Sequence, residues 1–505
     1  MHVQEQLIAN RFGSGLTVPR VPTLNPKRGP LGRHPHLGAH RYVAKEQAPM
    51  KRRTLPSLRP CRPQILQCLW LTLSIASPLT FAQTERPPAS TRVQASAPLS
   101  AAQRADAMRE IKAIFQERYV FPEMRPVIVR RLNEAEATGR YDVDDPRQFA
   151  ERVTVDLRTV GHDKHLSLTF DPAGYAAALA PPGSAEGSEV QWQREAIRHH
   201  HGLDTLQRLP GNLRYLRITS FEWVRDETGV AYDDAMRFLK DGDAVIIDLR
   251  GNRGGSHAAV RYLVSHFLDD DKPLMTFLEG DEPPTQSRTL EYLPVGRLKG
   301  KPLYVLIDGN TASAAEEFAY HVQQFKLGEL IGANTAGAAN NNRFLPIAPG
   351  FMLSVSYGRP LHAVSQTNWE GEGVGPSVRA EPAQALEVAQ SLALQRLASA
   401  PDASPENRTE YEWAQTAVEA RLHPAQWTQA QLQALVGRYG DAHVTLRDGA
   451  LWFARPQRPT LRLLPLTADG LFGFEGLETL RARLTGKTVE FTQLGQSGSR
   501  VLTRS

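Results

Sequence analysis

Three stretches of this 505-residue chain hold side chains that could do covalent chemistry: "GHDKHLSL" around His165, "DLRGNRGG" at 248–255, and "GNTASAAEEF" around Ser313. A serine hydroxyl is a weak nucleophile. It needs a positioned base to take its proton, and the oxyanion that develops on its target needs backbone donors held close. His165 is a candidate base. Gly254 and Gly255 would let the backbone approach a substrate carbonyl, and the amides of Gly254 and of Ala314, the residue after Ser313, are candidate oxyanion donors.

Each of these residues also has a plainer reading. Ser313 with Glu316 three residues on, just ahead of an apolar-periodic run, is a capping box, so Ser313 could simply start a helix. Gly254 and Gly255 could do no more than permit a tight strand-to-helix turn. Asp163 could orient His165 or cap a turn. His162 and Asp163 beside His165 suggest a metal site, but in an extended segment residues 162 and 165 face opposite ways, so no metal and no other cofactor is expected. The run His199-His200-His201 reads as a solvated loop.

The elements that must position these groups are legible from periodicity. "AVIIDLR" (244–250) is a continuous apolar run suited to a parallel strand covered on both faces, and "LRYLRI" (213–218) reads as another strand. "KPLYVLID" leads through a turn into "TASAAEEFAYHVQQF", as "AVIIDLR" leads into "NRGGSHAAVRYLVSHFL". Strand, turn and helix, repeated, argue for an α/β core. Residues 101–200 are read as an N-terminal helical domain ending in the strand "HLSLTF", 201–390 as the catalytic domain, 391–410 as a linker and 411–505 as a helix plus an antiparallel β domain. In the last of these, "HVTLRDGALWFA" is a hairpin signal.

The N-terminal region looks like a targeting segment. From Met50 the chain has a basic stretch, an apolar run from about Ile65 to Ala76, and Ala82 at a plausible cleavage point. Residues 50–82 are therefore expected to be a secretory signal, 83–100 a linker, and 1–49 an extension ahead of the true start. The signal is too short to leave a stable membrane span after cleavage. Both cysteines, Cys61 and Cys68, lie inside it, which excludes a disulfide framework, a thiol nucleophile and Cys-ligated metal in the mature protein. The net charge of +5 is also uneven: residues 1–82 hold 12 Lys/Arg against 2 Glu, which leaves −5 on the remainder and removes support for a nucleic-acid partner.

In "DKHLSL", "IIDLRGNRGG", "GNTASAAEEFAY", "IGANTAGAANN" and "NWEGEGVGP", in that order over roughly residues 100–385, the chain resembles the C-terminal processing (tail-specific) serine peptidases. The similarity is to the branch that includes tricorn protease and interphotoreceptor retinoid-binding protein. The resemblance implies a crotonase-like core of ββα units with Ser313 as nucleophile. A Ser-Lys dyad is not implied, because the matching lysine position is Ala338 and Lys326 sits in a charged turn. The tricorn-like branch instead implies His165 as base and Glu370 as its glutamate partner, with Glu372 as the neighbouring rival. Lys164 replaces a serine of that branch, and Ser377 an aspartate.

The function expected is a secreted or periplasmic serine-type peptidase acting on peptide or protein substrates through an acyl-enzyme. The alternatives are an apolar-ligand binding protein or an ester or amide hydrolase on the same fold. About forty residues separate Phe170 from Leu213, too few for the PDZ domain that many relatives carry.

Overall fold

The computed structural model describes residues 97–184, 187–280 and 282–505. The expected extension and signal at 1–82 lie outside the described residues. No helix of the described residues is long and apolar enough to cross a membrane.

The chain begins with α1 (Ala101–Arg118), α2 (Arg125–Ala137) and α3 (Pro146–Gly161), followed by β1 (Ser167–Phe170), α4 (Pro172–Leu179) and α5 (Ser188–Arg198). Ser100 caps α1 in a capping box with Gln103, and Asp145 caps α3 ahead of Pro146 at the first helical position. Phe115, Tyr119, Phe149 and Leu157 pack into one core with Phe351, Leu353 and Val355, which lie on a strand almost two hundred residues later.

Next come β2 (Leu203–Leu209), β3 (Leu213–Ile218), α6 (Arg225–Lys240), β4 (Ala244–Asp248), α7 (His257–Ser265), β5 (Pro273–Glu279), β6 (Thr285–Arg288), β7 (Leu303–Ile307), α8 (Ala314–Phe325) and β8 (Glu329–Gly332). They continue with β9 (Asn341–Ile347), β10 (Phe351–His362), β11 (Val378–Arg379), α9 (Ala385–Ala398) and α10 (Pro405–Leu422). A six-stranded sheet runs in the order β11-β8-β7-β4-β3-β2, parallel from β11 to β3 with β2 antiparallel at the edge. Strand β4 is buried at every position, as its unbroken apolar run requires. Val245 and Ile247 face α6, α7 and α8, while Ala244 and Ile246 face α9 and α10.

A second, antiparallel sheet joins β1, β10, β5 and β6, with β9 also on β10. This sheet is absent from the sequence reading. The chain ends with α11 (Gln429–Ala434) and an eight-stranded antiparallel meander: β12 (Gly437–Tyr439), β13 (Ala442–Arg447), β14 (Ala450–Ala454), β15 (Leu461–Pro465), β16 (Leu471–Phe474), β17 (Leu477–Leu484), β18 (Thr488–Gln493) and β19 (Arg500–Thr503). The hairpin β13–β14 turns at Asp448-Gly449, both at positive φ. The last strand returns to the first through Gly440 N–H to Thr503 O and the Tyr439–Arg504 bridge, so the sheet is nearly a closed barrel. The protein is thus mixed α/β with a C-terminal antiparallel near-barrel.

Candidate active site

Ser313 stands between β7 and α8 with φ 53° and ψ −122°, a conformation sparsely populated by non-glycine residues. The turn that holds it there is stitched to the glycine loop after β4. Asp308 Oδ1 accepts the N–H groups of Gly251, Asn310 and Thr311, the Thr311 hydroxyl donates to Leu249 O, and Ala312 N–H donates to Asn252 O. Gly254 lies directly against the serine: a Cβ at this position would come within 2.7 Å of Ser313 Cβ and 3.0 Å of Ala314 N. Here φ is +108°, so both the space and the backbone require glycine.

The Gly254 N–H donates to Asn252 Oδ1 at 2.8 Å, so one of the two amides expected to meet an oxyanion is already engaged. Ala314 is the first residue of α8, where a backbone N–H has no partner within its helix. Glu316 accepts the Ser313 N–H at 2.9 Å, so the helix end is capped through the serine's backbone.

Glu316 is fully buried and ties this end of the site to the loop after β8. Its carboxylate also accepts from the Thr335 hydroxyl and from the N–H groups of Gly337 and Ala338. Burial pushes its pKa up, and these donors oppose the shift. The same loop continues into Ala339 and Asn340, whose N–H groups donate to Glu370 Oε2 at 2.6 and 2.9 Å. The Asn340 side-chain amide then donates to Asp163 Oδ2 at 3.2 Å. Segment 335–340 is therefore bonded on one side to the acid that caps the Ser313 helix and on the other to Glu370 and Asp163.

His165 completes this second group. Donor atoms of Asp163, His165 and Glu370 all lie within 4.8 Å of one another, a spacing from which they could also hold a metal ion. Asp163 Oδ1 accepts the His165 backbone N–H at 2.9 Å and stands 3.8 Å from its Nδ1, so Asp163 both closes the turn and faces the ring. The Tyr119 hydroxyl lies 3.5 Å from Asp163 Oδ2, and burial beside that carboxylate pushes the phenol well above its ordinary range. His165 Nδ1 and Glu370 Oε1 are buried without a hydrogen-bond partner among the described residues.

These surroundings set the charge states. Burial lowers the His165 pKa, with Asp163 opposing the shift and Arg158 adding to it, so the imidazole is neutral at neutral pH. Burial and the neighbouring Asp163 charge push Glu370 up to about 7, while the Ala339 and Asn340 amides hold it back from going further.

Several expectations change. His162 is not in an extended segment but caps α3 in the left-handed region and is exposed, and Glu370, not His162, joins Asp163 and His165. Of the three consecutive histidines, His199 and His200 are exposed, but His201 is buried with Nδ1 3.0 Å from the Thr228 hydroxyl, so the run is not wholly a solvated loop. Glu372 is exposed, two residues from half-buried Glu370. Lys326 caps the far end of α8, Ala338 is buried, and Lys164 reaches from the His165 turn to the Ala336 carbonyl. Ser377 donates to Glu329 and accepts from Leu330 N–H, a bracing role at the end of β8. Tyr119, Asn252 and Asn340 carry no local signal of a role here beyond the position of the two asparagines inside the quoted motifs.

Residues 212–380 match the model of Peptidase family S41. Two proteins of Bacillus subtilis (strain 168) are similar: carboxy-terminal processing protease CtpB is 26% identical over 169 residues, 32% of this chain and 33% of its own length. Carboxy-terminal processing protease CtpA is 29% identical over 173 residues, 34% of this chain and 35% of its own. The chain thus spans about a third of the length of the curated relatives it matches. Among solved structures, photosystem II D1 C-terminal processing protease superposes with a TM-score of 0.38 at 15% identity, over 56% of this chain and 94% of that one. Ser313, Gly254, Ala314 and Glu370 all lie within the segment that is similar to peptidase family S41, and His165 lies before it.

Proposed function

We propose that this protein is a secreted or periplasmic serine-type peptidase in which His165 deprotonates Ser313. The observation that carries the reading is the bonding of segment 335–340 to both halves of the site, Glu316 beneath Ser313 and Glu370 with Asp163 beside His165. The core would be crotonase-like, the two strand-turn-helix units after β4 and β7 presenting the glycine loop and the nucleophile side by side.

In this reading the Nδ1 edge of His165 faces the carboxylates, and Nε2, on the opposite edge of the ring, takes the serine proton. Attack on a peptide carbonyl gives a tetrahedral intermediate, whose oxyanion meets the Ala314 amide at the start of α8. The Gly254 amide joins it when Asn252 releases it. The imidazolium then protonates the leaving amine, water hydrolyses the acyl-enzyme, and the ionised form of Glu370 steadies the positive ring. A strained turn for Ser313 suits this role, because it exposes the hydroxyl at the head of a helix. The apolar-ligand carrier has no specific observation in its favour at this site. The basic and apolar segment at 50–82 supports export.

The test is cleavage of unstructured polypeptides and short peptides by the purified protein, with products located by mass spectrometry. Ser313→Ala is expected to abolish turnover, and His165→Ala to lower it at least about a hundredfold. Cleavage that persists in Ser313→Ala would overturn the assignment.

A further inference from the structure

The C-terminal near-barrel, outside the segment matched by the peptidase family, has two unlike ends. Inward-facing residues alternate along each strand, and toward one end they are filled in: Leu484 and Val489 face each other and are buried in one core with Tyr439 and Leu432, while Trp427 lies with its ring 5.3 Å from that of Phe472. At the other end the inner layer is left open. Phe474 and Phe491 stack there and both meet Phe453 edge to face, with ring centroids 5.3 to 6.3 Å apart, beside Leu461 and Leu480. They floor a cavity of about 840 Å³. Leu477, at its lip, is 42% exposed.

Polar side chains also line the cavity: Gln493, on the strand that carries Phe491, and Gln496, Ser497 and Ser499 in the turn that follows. The lining includes Arg455, Arg458 and Arg500 and no acidic side chain. Arg455 is paired with Asp441 at 2.6 Å, but Arg458 and Arg500 are exposed and in no ion pair among the described residues. The site therefore offers an aromatic and aliphatic floor under a polar, positively charged mouth, in the size range of a small-molecule pocket.

We infer that this end of the barrel binds a long-chain carboxylate, with the acyl tail on the Phe453–Phe474–Phe491 layer and the head group at Arg458 and Arg500. Two features favour an acyl chain over a peptide tail. Apart from Gln493, the strand side chains below the arginines are hydrocarbon, so a peptide backbone lowered among them would lose water and gain few partners. The last strand also bonds back to the first at Gly440–Thr503 and Tyr439–Arg504, which occupies part of the edge on which a peptide could add.

The experiment uses the whole mature protein carrying Ser313→Ala, so that its outcome does not depend on peptidase activity. Binding of cis-parinaric acid is followed by fluorescence, and saturated acids of 8 to 16 carbons compete with it. Saturable one-to-one binding is expected, tightening about fourfold per added methylene until the cavity is filled. The methyl ester should bind about tenfold more weakly, as should the acid on Arg458→Glu/Arg500→Glu, a pair of exposed changes that should leave the thermal midpoint unchanged. No saturable binding, equal binding by the charge-reversed protein, or equal competition by an alkyltrimethylammonium or an apolar peptide would each overturn the assignment.

Discussion

Glu370→Gln isolates the electrostatics of the site. The folded carboxyl holds its proton up to about pH 7 because burial and the Asp163 charge disfavour ionisation, against an ordinary value of 4.5. Between those values the folded protein binds more protons than the unfolded chain, so this group lowers stability as pH rises through the window. The shift of roughly 2.5 units, at 1.36 kcal/mol per unit, amounts to about 3 kcal/mol, most of it lost between pH 5 and pH 8. Glutamine keeps an oxygen for the Ala339 and Asn340 amides but never ionises. Urea denaturation of both proteins at several pH values should show wild type minus variant stability falling by about 2–3 kcal/mol from pH 5 to pH 8. A difference flat to within about 0.5 kcal/mol would mean that Glu370 titrates normally and is not confined with Asp163.

Three other changes probe the scaffold. Gly254→Ala forces a Cβ to within 2.7 Å of Ser313 Cβ at φ +108°, so kcat/KM should fall about a hundredfold or more, read beside the thermal midpoint to separate misplacement from unfolding. Burial alone would raise Glu317, but His257 at 2.6 Å and His321 override it and hold the carboxyl at about 2. The stability this gives is present above 4.5 and is lost as pH falls toward 2. Glu317→Gln should accordingly cost about 3 kcal/mol at pH 7, with a deficit that shrinks in urea melts at pH 4 and 3. Asp156→Ala strips the partner from Arg131, Arg140 and the Tyr141 hydroxyl. Both arginines are part-solvated, so the cost, measured by chemical denaturation, should be about 2 kcal/mol, chiefly from the buried phenol left unpaired.

The parts of the fold that the sequence made legible are those with strong local periodicity. Residues 213–218 and the 244–248 strand declared themselves by apolar runs, α8 by its capping signature, and β13–β14 by Asp448-Gly449. The antiparallel sheet of β1, β10, β9, β5 and β6 did not, because β10 is buried along most of its length and shows little alternation, and its partners lie far away in sequence. The candidate site divides in the same way. Ser313, Gly254 and Ala314 belong to strand-turn-helix units that a local reading can assemble. The meeting of His165 with Glu370 rests on β1 pairing with β10 and on Asn340 bridging to Asp163, which are long-range contacts with no local signature. Asn252 shows the opposite limit: its motif advertises its glycines, and nothing local marks the side chain that engages the Gly254 amide.

The central claim is that Ser313 is a nucleophile activated by His165, and its most direct test is the rate and position of labelling by a fluorophosphonate probe. The adduct should map to Ser313, vanish in Ser313→Ala, form at least about a hundredfold more slowly in His165→Ala, and persist in Lys164→Ala. Labelling elsewhere, or a His165→Ala protein that labels as fast as wild type, would contradict the account and return Ser313 to the role of a helix cap.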